Sequence, residues 1–209
     1  MAQLTPRPLP YTSLPGLSAR LLTEHYKLYL GYVNKTNEIW SLLRTVNRQT
    51  ANATYSPYRE LKLEETYALN GVKLHELYFG NLGGTDGPPS GEVSFFLQRD
   101  FGSTEAWARD FRALGLSARG WGILALDLDD RTLHNFLLDA HNVGGIQRTA
   151  PLLVLDVYEH AYFIDYGANR SGYLDAFFAN IDWEEVNRRL RPYLARSAPV
   201  PTLNTDFFA

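Results

Sequence analysis

Pro151-Leu152-Leu153-Val154-Leu155-Asp156-Val157-Tyr158-Glu159-His160-Ala161-Tyr162-Phe163 is the stretch on which the reading of this chain turns. A run rich in Leu and Val, opened by a proline, has the pattern of a short strand buried on both faces. The run closes on a carboxylate, and an imidazole follows four residues later. A buried carboxylate is costly unless it is paired or bound to a metal, so Asp156 at the tip of such a strand needs a partner. Asp-x-x-x-His alone decides little, because Asp capping a following helix beside a core histidine is a common arrangement. The positions of the other histidines carry the weight.

Working outward, Trp121 to Leu128 and Thr132 to Asp139 read as two strands around a turn at Asp129-Asp130-Arg131, with Leu152 to Val157 as a third. Before them, Ser103-Thr104-Glu105 opens a capped amphipathic helix carrying Trp107, Phe111 and Leu114. Gly83-Gly84-Thr85-Asp86-Gly87-Pro88-Pro89-Ser90-Gly91 is the strongest break in the chain and marks a domain boundary. On its N-terminal side, Ser18 caps a helix over Ala19 to about Thr45, with apolar and aromatic residues at helical spacing around His25. Asn47 to Pro57 is turn-rich, and Tyr58 to about Leu82 resumes the helical pattern through His75. Two long helices joined by a short turn make an antiparallel hairpin in which His25 and His75 approach each other. Met1 to Leu17, interrupted by four prolines, reads as an extended arm. Helices return from about Gly172 to Phe178 and from Asp182 to Ala195, and the tail from Ser197 to Ala209 is expected to lie loose or draped over the surface. The expected fold is α+β: an N-terminal antiparallel helical hairpin packed on a C-terminal α/β domain with a small antiparallel sheet. The expected divisions are 1–86, 92–196 and a tail at 197–209.

Composition narrows the function. A chain of 209 residues, 45% hydrophobic and 13% aromatic, holds ample material for a packed core. A net charge of −3 gives no footprint for nucleic acid. There is no cysteine, which removes disulfides, thiolate nucleophiles and Cys-ligated zinc or iron–sulfur sites. No apolar run approaches the roughly 18 residues of a membrane span, and the first residues show no secretory pattern, so a soluble cytoplasmic protein is expected.

Of the five histidines, His134 has nothing in its polar surroundings to recommend it. His25 and His75 lie in the helical half, and His141 and His160 in the mixed half. Three imidazoles and one carboxylate, without sulfur, suit Mn, Fe or Zn. At this point the chain resembles the iron/manganese superoxide dismutase family along nearly its whole length. Asp156-Val157-Tyr158-Glu159-His160-Ala161-Tyr162 is similar to the family's Asp-Val-Trp-Glu-His-Ala-Tyr signature. Leu9-Pro10-Tyr11, Glu24-His25-Tyr26 and Asn70-Gly71 through His75 resemble its N-terminal arm and its two ligand helices. Asp100-Phe101-Gly102-Ser103, Gly120-Trp121-Gly122 and Arg170-Ser171-Gly172-Tyr173 follow in the family's order.

The resemblance implies one Mn or Fe ion per chain, held by His25, His75, Asp156 and His160, and disproportionation of superoxide to dioxygen and hydrogen peroxide. It implies that His141 holds the bound solvent, since Gly71 stands where typical iron enzymes carry Gln. It implies that Trp121 walls the pocket, and that Glu159 crosses to a second subunit in a homodimer, or in a tetramer built on one. The first helix departs from the family pattern: Tyr32 comes seven residues after His25, one fewer than usual, and no second histidine lies between. Tyr32 then best matches the tyrosine beside the substrate, and Tyr29 is the candidate for the missing imidazole's place. Phe163 stands where the family has Tyr, and Tyr158 where it has Trp. The rival readings are a non-enzymatic binding or scaffold protein derived from the family, and a zinc hydrolase on the same ligands. Retention of all four ligand positions argues against the first. The lack of a separate acid or base carboxylate beside them argues against the second.

Overall fold

The computed structural model describes residues 3–194. The expected tail, and the last residues of the second expected division, lie outside the described residues. Ser18 and Ser56 each accept a hydrogen bond from a backbone N–H three residues on, starting α1 (Ala19–Thr45) and α2 (Pro57–Gly80). The two helices pack as an antiparallel pair. Their outer end is closed by Ile39, Leu43 and Ala68, and their inner end joins the main core.

Beyond the Gly83–Ser90 break come α3 (Gly91–Phe101) and α4 (Thr104–Ser117), then β1 (Trp121–Asp127), β2 (Leu133–Leu138) and β3 (Thr149–Asp156). The sheet is antiparallel throughout in the order β2-β1-β3. Its register sets Trp121 opposite Asp156. A 3₁₀ turn (Glu159–Ala161) follows β3, and α5 (Phe163–Tyr166), α6 (Arg170–Ala179) and α7 (Trp183–Leu194) complete the described chain. The expected α+β class, hairpin and three strands are all present. α3 and the one-turn α5 are helices that the sequence reading lacked.

β3 is an edge strand, and its free edge is closed by side chains from the helical half. Asn81, the C-cap of α2 and fully buried, donates from its amide to the Val154 carbonyl (3.2 Å) and accepts from the Val154 N–H (2.8 Å). One asparagine thus supplies both ladder bonds of a missing strand residue. Arg189 of α7 reaches the same seam, donating to the Leu152 and Leu77 carbonyls, each at 2.9 Å. The Asn81 carbonyl accepts from the Asp182 N–H, and the Gly84 N–H donates to the Asn180 carbonyl.

At Gly84 a Cβ would run into the Ile181 carbonyl oxygen and lie 2.7 Å from the Asp182 Cα, both backbone atoms. Gly84→Ala is therefore expected to cost about 2–3 kcal/mol in denaturant unfolding, the upper range for overpacking. Gly87→Ala, whose nearest heavy atom beyond its chain neighbours is 3.6 Å away, serves as the near-neutral control. Equal effects at the two positions would refute this account.

Candidate metal centre

His25 and His75 sit on the facing sides of α1 and α2, both buried, with ring centroids 5.1 Å apart. Asp156 arrives on the last residue of β3, fully buried, and His160 on the 3₁₀ turn that follows. That turn begins with the Tyr158 N–H donating to Asp156 Oδ1 (2.9 Å). Oδ1 is thereby occupied by the backbone, and Oδ2 faces the histidines. Its distances to Nε2 of His25, His160 and His75 are 3.1, 3.2 and 3.7 Å. One ligand atom from each of the four residues lies within 4.8 Å of every other. The sequence-predicted set therefore converges from four elements.

The His75 tautomer follows from its partner. Nδ1 lies 2.6 Å from the Gly71 carbonyl, which only accepts, so Nδ1 carries the proton and Nε2 presents a lone pair. That Nε2 is buried and has no hydrogen-bond partner in the protein. Burial, and then the His25 imidazole beside it, push the His75 pKa down to about 3. Burial likewise holds His25 below the ordinary histidine range. Asp156 is held well below the carboxylate range: burial opposes this, but the His160 charge and the hydrogen bonds from His160 and His25 outweigh it. A buried imidazole lone pair aimed at a carboxylate oxygen is a repulsive pairing unless a cation lies between them. Three imidazoles, one of them with an orphaned lone pair, and one carboxylate form a donor set that suits manganese, iron or zinc.

Trp121 and His141 stand beside this cluster. The Trp121 Nε1–H donates to His141 Nδ1 (2.9 Å), so a neutral His141 carries its proton on Nε2, which is buried and has no protein partner. Burial pushes the His141 pKa down to about 4, which keeps it neutral near pH 7. The Tyr32 ring lies 5.4 Å from His75 and 4.8 Å from His141. It also packs on Gly71, where a Cβ would come within 2.8 Å of the ring, so the glycine is what admits Tyr32.

Tyr29 is directed elsewhere than its expected role. Its hydroxyl donates to Glu76 Oε1 (3.0 Å) and accepts from the Arg7 N–H (2.8 Å), tying the N-terminal arm to the hairpin. Burial pushes its pKa up to about 12. Glu159 is exposed on the 3₁₀ turn and forms no ion pair among the described residues. His134 pairs with Asp130 on the β1–β2 turn, well away from the cluster in sequence and on the surface.

Residues 89–189 match the family described as iron/manganese superoxide dismutases, C-terminal domain. The chain is 45% identical over 182 residues to an iron superoxide dismutase of Aquifex aeolicus, covering 85% of each chain. The chain belongs to the iron/manganese superoxide dismutase family. A manganese superoxide dismutase of Halobacterium salinarum is 35% identical over 190 residues, covering 90% of this chain and 94% of that one. An iron superoxide dismutase of Methanothermobacter thermautotrophicus is 35% identical over 199 residues, covering 92% and 96%. Both metals thus occur among the family members it matches, in keeping with a donor set that suits either ion.

Two residues beside the centre of this family member were not read as site residues in the sequence, although Tyr173 closes one of the quoted motifs. Tyr173 donates to the Asp156 backbone carbonyl (2.7 Å) and meets the Tyr78 hydroxyl (3.1 Å), pinning the end of β3 from below. Tyr67 lies with its ring 4.5 Å from His141 and 6.1 Å from Tyr32. Tyr67, Gly71 and His75 follow one another at four-residue steps along α2, and that spacing is the signal that marks Tyr67.

Proposed function

We infer that the protein is a superoxide dismutase in which His25, His75 and His160 hold one manganese or iron ion through Nε2 and Asp156 holds it through Oδ2. A bound ion of this kind supplies one-electron cycling between +2 and +3, by which two superoxide ions and two protons become dioxygen and hydrogen peroxide. The single observation that carries the reading is the bare, buried Nε2 of His75 facing the Asp156 carboxylate. Asp156 contributes the one negative charge among the protein ligands, and the neutral imidazoles leave the site able to hold either oxidation state. The Tyr158 N–H fixes the carboxylate, and the Tyr173 hydroxyl fixes the Asp156 backbone that carries it. The Gly71 carbonyl fixes the His75 ring.

His141 offers its Nε2–H toward this space, with Trp121 holding the ring in orientation. Tyr32 walls the same space opposite. These two side chains are placed to bind the small anion or its solvent, and to hold a proton at His141 Nε2 or at the Tyr32 hydroxyl. No role in the chemistry is proposed for Tyr29, which is engaged by the arm.

A homodimer belongs to the same reading. Exposed Glu159 lies beside Phe163 and Ile164, which are 54% and 40% exposed, a pairing of charge and apolar surface that suits a subunit contact. The chain is taken as two structural units, divided in the 83–91 loop, with the centre between them. A cytoplasmic location is proposed with it, since no disulfide is available to this chain and a reducing compartment asks for none. Among the described residues no helix is long and apolar enough to cross a membrane.

The test is elemental analysis of the purified protein together with a superoxide-disproportionation assay on protein loaded separately with manganese and iron. About one manganese or iron per chain, with turnover by at least one of the two forms, is the expected result. Stoichiometric zinc, or bound manganese and iron without turnover, would overturn it.

A further inference from the structure

In β1 and β2, Ile123 lies opposite Phe136, so both side chains stand on one face of the sheet. α2 and α7 pack against the sheet at β3. Beside them a groove of about 610 Å³ stays open. Ile123, Phe136 and Pro151 line it from the sheet, Leu77 from α2 and Ile146 from the loop after β2. Phe136, Leu77 and Pro151 are half-buried and Ile146 is 49% exposed, so apolar surface is left facing water. One cation stands over it unengaged: Lys73 is exposed and has no ion pair or hydrogen bond among the described residues. The arginines around the same groove are committed, Arg7 to Glu76 and Arg188 and Arg189 to Glu185.

The described chain ends close to this groove. Leu194 closes α7, and the carbonyl of Tyr193 accepts a hydrogen bond from Arg131 in the β1–β2 turn. From that turn β2 runs to Phe136, five residues on, a distance of roughly 17 Å. Residues 195–209 can span about 50 Å when extended, ample to reach the groove. Their sequence matches what the groove offers: Leu203, Phe207 and Phe208 are large and apolar, and Asp206 is the one acidic side chain among them. Pro199 and Pro201 hold φ near the extended range on the way.

We propose that the groove is the docking site of this chain's own segment 203–209, with Phe207 and Phe208 laid on Phe136 and Ile123 and Asp206 beside Lys73. The tether favours this occupant over a second copy, because a short linker holds the segment at an effective concentration of about millimolar. The groove also reaches His141 and Asn142, so the seated segment lies against the loop that carries His141. The proposal does not depend on the dismutase reading.

The chain has no cysteine, so introduced pairs report on this directly. In the full-length protein, Thr205→Cys is combined with Gln147→Cys in the groove lining, or with Ser117→Cys as the control. Ser117 is exposed at the end of α4, which packs on the other face of the sheet against Gly122 and Leu155. Under mild oxidation the Gln147 pair should close within one chain at least about tenfold faster than the Ser117 pair, because docking raises the local concentration of one thiol at the other. Equal rates, or disulfides formed chiefly between chains, would overturn the proposal, and the second outcome would assign the groove to another copy. Lys73→Glu, a change at an exposed position, should slow closure about threefold to fivefold, and Asp206→Lys added to it should restore the rate. A rate that Lys73→Glu leaves unchanged would remove the Asp206 contact. Chymotrypsin provides a check without cysteines: cleavage at Phe207 and Phe208 should be slower in the wild type than in Lys73→Glu, and equal cleavage would count against docking.

Discussion

Asp156→Ala is expected to yield a protein that folds but retains no manganese or iron through dialysis, and that has no dismutase activity. Removing the side chain takes away the one carboxylate oxygen on which three imidazole Nε2 atoms converge within 3.7 Å. Loss of a residue that only supports a ligand costs roughly 10–100-fold in metal affinity, so loss of the charged ligand itself should exceed about 1,000-fold. The fold suffers far less. Alanine leaves the Tyr158 N–H without its acceptor, a cost of about 1–3 kcal/mol, while a fully buried carboxylate no longer has to be kept from water. Metal analysis after dialysis and thermal unfolding with and without added metal check both halves. The variant's Tm should no longer rise on adding manganese or iron, whereas the wild type should gain about 4 kcal/mol at 1,000 times its dissociation constant. Stoichiometric metal in the variant would remove Asp156 from the ligand set.

The second large effect lies away from the centre. Arg189 is 9% exposed, and its guanidinium donates to Glu185, to the Leu77 and Leu152 carbonyls and to the Asn81 side chain. It is the point at which α2, β3 and α7 are joined. Arg189→Ala removes charge-assisted hydrogen bonds from the Leu77 and Leu152 carbonyls and one of the two arginine partners of Glu185, which keeps Arg188, and is expected to cost about 3–5 kcal/mol. For a chain of this length that corresponds to a fall in Tm of roughly 6–20 °C at constant metal content. Glu185→Gln should cost less, because the carbonyls keep their donor. The pair also sets a pH dependence. Burial pushes the Glu185 pKa up, but Arg188 and Arg189 outweigh it and the net shift is downward. The stabilisation is then present above the ordinary glutamate pKa and is lost as the pH falls through the lowered value. In the Arg189→Ala variant this acid-side loss of stability should be smaller than in the wild type. An Arg189→Ala Tm within about 2 °C of the wild type would show that the join carries no weight.

Much of this could be read from residue order, and the reasons differ by element. The starts of α1 and α2 were legible to within a residue, because Ser18 is a true side-chain cap and the turn-rich stretch ending at Pro57 leads straight into α2. β1 to β3 were legible because Asp129-Asp130-Arg131 makes the turn, with Arg131 at a φ of 64°. α3 was not legible. Its N-cap, Ser90, makes no side-chain capping bond, it opens on Gly91, and only Val93 and Leu97 are buried, too few to impose a period. The four clustered residues emerge from the family pattern, since nothing local ties His25 to an aspartate 131 positions away. Tyr29 and Tyr32 were separable only by coordinates. Both fall near His25 on the helix, and what divides them is Glu76 and the arm on one side, Gly71 and His141 on the other.

That wide spacing has a consequence for how the protein is made. A ribosome that has released only the first hundred residues has delivered two imidazoles and nothing to balance an ion's charge. The remaining donors emerge only when residues 156–160 clear the exit. Metal capture is therefore a late event in biosynthesis. A product that stalls before residue 156 carries, of the four donors, only the two imidazoles of the helical hairpin.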